Sequence, residues 1–188
     1  MVRLILLFMG ILLVSACAQI AQPTTTTPAP ASSHGPLAQI DLETLVLQPG
    51  DLPPMDATPE KLPATPFPRP GIATSFASLF LLKQEYVYGS IYVDVYTDTL
   101  DAHKAYEADV ALLQGHEQFG YQLITPAVGE RAMLRYRAKD DGAEIVFQDC
   151  HARVSISFPP SKDERLVQDT ILTYAQRLDG RLKPLVCS

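Results

Sequence analysis

The chain has 188 residues, of which 15 are Lys or Arg and 21 are Asp or Glu, for a formal charge of −6. That acidic balance excludes nucleic acid as a partner, because phosphate binding requires a basic footprint. It also supplies no polybasic patch for anionic lipid, and no apolar stretch approaches the roughly 20 residues that cross a bilayer.

Arg3 is a short cationic start, Leu4 to Val14 an apolar run, and Val14-Ser15-Ala16-Cys17 a small-residue cleavage site. This order predicts a secretory signal over residues 1–16. Its last four residues resemble the lipobox of bacterial lipoproteins. The resemblance implies cleavage before Cys17 and a palmitate-type diacyl group on its thiol. The chain would then be held on the membrane by lipid, facing the exterior or the periplasm. Residues 17–36, rich in Thr, Pro, Ala and Ser, have little to bury and are expected to form a disordered tether.

Residues 37–73 read as a short helix followed by a proline-rich surface segment. Leu42, Leu45 and Val46 line one helical face, which Pro49-Gly50 ends. The prolines of residues 49–70 forbid an interior strand or a long helix. The apolar residues among them, such as Leu52 and Phe67, favour a segment laid over the domain surface.

Residues 74–188 carry the regular patterns of a globular domain. Phe76 to Leu82 is apolar on both faces, and Tyr88 to Tyr96 alternates Ile91, Val93 and Val95 with Tyr92, Asp94 and Tyr96. The second pattern predicts a half-buried antiparallel strand. Thr97 or Asp98 can cap a helix whose stripe is Ala102, Tyr106, Val110 and Leu113, with Gly115 as its stop. Asp141-Gly142 predicts a two-residue hairpin turn pairing Asp140 with Ala143 and Lys139 with Glu144. That register puts Leu134, Tyr136, Ile145 and Phe147 on one face, and Arg135, Arg137, Glu144 and Gln148 on the other. Ala152 to Phe158 forms the next strand, and Ser161 to Glu164 is a capping box. The last helix shows Val167, Ile171, Tyr174, Ala175, Leu178 and Leu182 on one face, interrupted by Gly180 and stopped at Pro184. The predicted fold is α+β: one antiparallel sheet of about five strands with two helices packed on one face.

With Cys17 acylated, Cys150 and Cys187 remain, and an even pair in an oxidising compartment reads as one disulfide. A reactive Cys150 beside His151 is the other reading, but adjacent residues of an extended chain point to opposite faces. No HExxH, CxxC, glycine-rich phosphate loop or GxSxG elbow is present. The expectation is therefore no catalytic residue, metal or cofactor. His103 and Glu107 lie one helical turn apart, the spacing of half a metal site and equally of an ordinary helix-surface pair. If both helices cover one face of the sheet, Tyr92, Asp94, Tyr96, Arg135, Arg137 and Arg153 share the open one. Tyrosines and arginines together can bind a polar or anionic molecule.

Leu42-Glu43-Thr44-Leu45-Val46-Leu47 before Pro49-Gly50-Asp51-Leu52-Pro53, Val93-Asp94-Val95-Tyr96 leading into Ala102, and Ala152 to Phe158 before an amphipathic helix form an ordered set. Together they resemble the extracytoplasmic sensor domain of mycobacterial PknH-type receptor kinases and related lipoproteins, over about residues 40–186. The chain also looks like PsbP-type folds. The sensor resemblance implies an α+β domain with a cleft for a small ligand; the cysteines depart from that family's two-disulfide pattern. The functional expectation is a lipid-anchored, non-catalytic exterior domain that binds a small molecule or cell-envelope component. The alternative is a structural or adaptor subunit that docks on a membrane protein complex through residues 49–70 or the terminal helix.

Overall fold

A computed structural model describes residues 35–48, 50–51, 57–61, 71–82, 87–115, 117–137, 141–158 and 164–188. Among the described residues seven strands run β1 (Ala57–Lys61), β2 (Ile72–Leu82), β3 (Val87–Tyr96), β4 (Gln122–Ile124), β5 (Arg131–Arg137), β6 (Asp141–Asp149) and β7 (Ala152–Phe158). They form one sheet in the order β1-β2-β3-β7-β6-β5-β4, with every neighbouring pair antiparallel. The helices are α1 (Leu42–Val46), α2 (Thr99–Gln114) and α3 (Glu164–Val186). The α+β class and the single antiparallel sheet are as the sequence predicts. Two short strands at the edges raise the count above five. β1 contains Pro59 and lies at the sheet's edge, where a strand tolerates a missing N–H.

The helices do not share a face. α3 buries Ile171, Tyr174, Leu178, Leu182 and Val186 in one core with Ile91, Val93, Leu134, Ile145, Phe147, Val154 and Ile156. α2 buries Tyr106, Val110 and Leu113 against Val146, with Met133 and Leu123 beside them. Side chains alternate along a strand, so Val146 and its neighbours Ile145 and Phe147 point to opposite sides of the sheet. The uninterrupted run Ile145-Val146-Phe147 needs apolar cover on both sides, and one helix supplies each. β3 is accordingly covered on both faces at Asp94 and Tyr96, 7% and 8% exposed, while Tyr92 on the same side stays exposed, so only part of the strand is half-solvated as its alternation suggests.

The β5–β6 hairpin turns earlier than Asp141-Gly142, which lie within β6. Leu134 pairs with Ile145 and Arg135 with Glu144. The displacement moves each partner by an even number of residues, so every side chain keeps its predicted face. The cross-strand ion pair is Arg135–Glu144 at 2.6 Å, in place of Lys139–Glu144. The intervening residues 138–140 lie outside the described part, as do Ser161 to Asp163 of the expected capping box.

Helix ends follow the local chemistry. Asp98 caps α2, its carboxylate accepting the Leu100 N–H at 2.7 Å, and Gly115 ends it. α3, by contrast, runs through Gly180 and Pro184 to Val186. Leu182 and Val186 are fully buried, and that burial outweighs the helix-breaking residues, one of which falls in the last turn. α1 packs on this helix: the Tyr174 hydroxyl donates to the Val46 carbonyl, and Arg181 meets Asp51 at 2.8 Å. Among the described residues no helix is long and apolar enough to cross a membrane.

Candidate functional site

The cap at Asp98 fixes where α2 begins, and so places Thr99, Leu100 and His103 over the end of the β5–β6 hairpin. There they line a cleft of about 400 Å³ with Glu130, Arg131, Gln148 and Cys150. Gly129 precedes the lining residue Glu130. The glycine has φ +62°, and a Cβ there would lie 2.7 Å from the Gln148 carbonyl, so only glycine lets the loop come this close. Glu130 follows, its N–H donating to the same carbonyl at 2.9 Å.

His103 is held on both nitrogens. Nδ1 is 3.2 Å from Gln148 Oε1, and Nε2 is 3.4 Å from a guanidinium nitrogen of Arg131. Arginine can only donate, so Nε2 accepts and Nδ1 carries the proton toward Gln148. Glu107 accepts from Arg131 at 3.2 Å and lies 3.7 Å from His103. A guanidinium thus occupies the space beside His103 and Glu107 where a metal ion would sit. Tyr106, on the same helix, has its pKa raised chiefly by burial and further by Glu107, against an opposing effect of Arg131.

Glu130 is exposed, and among the described residues no cation pairs with it. Its Oε2 accepts the Cys150 N–H at 3.4 Å, and Oε1 lies 3.3 Å from Cys150 Sγ. Cys150 and Cys187 stand at bonding distance with their Cα atoms 5.3 Å apart, the predicted pairing. Glu130, Cys150 and Cys187 also bring one ligand atom each within 4.8 Å of one another. Sulfurs bonded to each other offer no thiolate, which leaves a single carboxylate and no metal centre there.

The six residues expected to share an open face are dispersed. Asp94 and Arg153 lie beneath α2, where Arg153 bonds Asp109 and stands 3.5 Å from Asp94. Tyr96 is buried beside them, while Tyr92 is 38% exposed. Arg135 pairs with Glu144 and stacks on the Tyr121 ring at 4.6 Å. The Arg137 side chain and Cys17 lie outside the described residues. The cleft residues Thr99, Leu100, Glu130, Arg131 and Gln148 come from three separated segments and form no motif. The local signals for them are Gly129 within a loop and Gln148-Asp149 closing the apolar run Ile145-Val146-Phe147.

The site therefore presents a carboxylate with no cationic partner among the described residues, a guanidinium with spare donors, a threonine hydroxyl and an amide beside the apolar Leu100. Set against known protein families, curated proteins and solved structures, the chain matches none.

Proposed function

We propose that the protein is a lipid-anchored, non-catalytic exterior domain that binds a small polar molecule in the cleft between α2 and the β5–β6 hairpin. The observation that carries this reading is Glu130, a carboxylate without a described cationic partner at the mouth of a cleft large enough for a small ligand. A ligand with one cationic group for Glu130 and an acceptor for Arg131 fits that chemistry. The lipid anchor rests on Val14-Ser15-Ala16-Cys17. The reading agrees in kind with the resemblance to PknH-type sensor domains, which implies a ligand cleft.

Native mass spectrometry of the intact protein purified from membranes tests both halves. The expected spectrum shows the lipid mass on Cys17 and a copurifying small molecule that the double variant Glu130→Gln, Arg131→Gln loses. An unlipidated chain would remove the anchor. An empty protein, or a ligand that the double variant retains, would remove the cleft. The adaptor reading draws on a different observation: Leu112, Phe119 and Ile124 are 67%, 58% and 40% exposed. Crosslinking in membranes through this stretch to one membrane protein would favour it.

A further inference from the structure

On the opposite side of β6 from the cleft lies a carboxylate that the binding reading does not use. Asp149 ends β6 between Gln148 and Cys150, and strand alternation turns it toward α3. Its side chain is 1% exposed. Asp179 and Lys183 face it from α3, and Glu130 faces it from the loop before β5. His151, in the adjoining turn, is directed instead to the Tyr96 carbonyl at 3.0 Å. Lys183 reaches Asp149 at 3.6 Å but is half exposed, so its charge is well screened. Asp179 Oδ2 accepts the Gly129 N–H at 3.1 Å.

With both aspartates ionised, neither oxygen of Asp149 has a donor among the described residues, and nor has Oδ1 of Asp179. Two buried acceptors side by side repel, and each lacks the hydrogen bond that burial demands. One proton between them corrects both faults, because it turns an acceptor pair into a donor and an acceptor. We propose that Asp149 and Asp179 share one proton and form a proton-operated latch that docks the last turns of α3, and the loop of Gly129, on the end of β6.

The electrostatics agree with that geometry. Burial is the largest influence on Asp149, followed by its hydrogen bond and charge interaction with Asp179; Lys183 opposes and Glu130 adds. Together they push its pKa up to about 7. An acid raised in the folded state binds more protons folded than unfolded across the interval between its two pKa values. The latch therefore loses stability as pH rises from about 4 to about 7, and little further change follows above that. Release would loosen Gly129 and, with it, Glu130 and Arg131 of the cleft. The Cys150–Cys187 pair joins the same two elements next to Asp149 and just past the helix end, so the helix end can loosen without leaving.

Carboxyl ¹³C shifts of the intact protein, followed by NMR from pH 3 to 9, test the latch. One member of the pair should titrate about two or more units above the ordinary aspartate value near 4. Hydrogen exchange corrected for its intrinsic pH dependence should quicken about tenfold over residues 125–130 and 179–186 between pH 6 and 8. Asp179→Asn, whose amide donates without a proton to lose, should leave exchange there independent of pH. Midpoints below 5 for both aspartates in the unaltered protein would overturn the shared proton, whether or not the variant folds. A raised midpoint with unchanged exchange would overturn the latch.

Discussion

The guanidinium of Arg153, on β7, bonds the carboxylate of Asp109, on α2, 44 residues earlier in the chain. Both side chains are largely shielded from water, at 15% and 19% exposure, and Asp94 lies on the far side of the same guanidinium. Arg153→Leu would leave two carboxylates facing each other beneath a helix. Removing one partner from a buried pair costs about 3–5 kcal/mol, and partial exposure places this case near the lower end. The expected loss is about 3 kcal/mol. Urea denaturation of the variant beside its parent measures it. A loss below about 1 kcal/mol would show that the pairing of charges is not what Arg153 contributes.

This cluster also shows where sequence reasoning stops. The stripes of α2 and α3 name the buried residues of each helix, because a 3.6-residue period fixes which side of a helix is apolar. They do not say which face of the sheet receives that side. Asp94 and Arg153 look like solvent-facing positions when read along their own strands, and only Asp109 makes them buried ones. The run Ile145-Val146-Phe147, like Phe76 to Leu82, is a local sign that both faces needed cover. The cleft is harder still. Its walls come from α2, the loop before β5 and the end of β6, and no spacing within one segment foretells their meeting. The disulfide was legible for the opposite reason: only two cysteines remain once Cys17 is set apart.

Gly129→Ala should be costly. The left-handed backbone at φ +62° costs a β-carbon about 1–2 kcal/mol, and the new methyl must also move from 2.7 Å off the Gln148 carbonyl. The expected loss is about 2 kcal/mol or more. Thermal denaturation would show it, and a variant as stable as the parent would mean that the loop does not hold this conformation in solution.

Gly180→Ala should act in the other direction. Gly180 is within α3, and among the described residues nothing lies within 4 Å of where its Cβ would be. Alanine adds no clash and removes backbone freedom from the unfolded chain, a gain of about 0.5–1 kcal/mol. Denaturant midpoints of the two glycine variants, compared in one buffer, should fall on opposite sides of the parent.

Cys150 and Cys187 are separated by 37 residues, and a crosslink closing such a loop is worth about 4 kcal/mol in the chain-entropy account. Cys150 takes up φ 41° as the first residue of the β6–β7 turn, a conformation that serine tolerates no better. Cys150→Ser and Cys187→Ser therefore each lose the crosslink and gain no relief of the turn. Because both lose the same bond, the double variant should be about as unstable as either single one, a strongly non-additive result. Intact mass should first confirm that the parent lacks two hydrogens relative to its reduced form. Additive losses would mean that the two sulfurs contribute through separate packing and that the bond is not closed in solution. Near-identical losses would place the stabilisation in the link that ties the end of α3 to the tip of the β6–β7 hairpin.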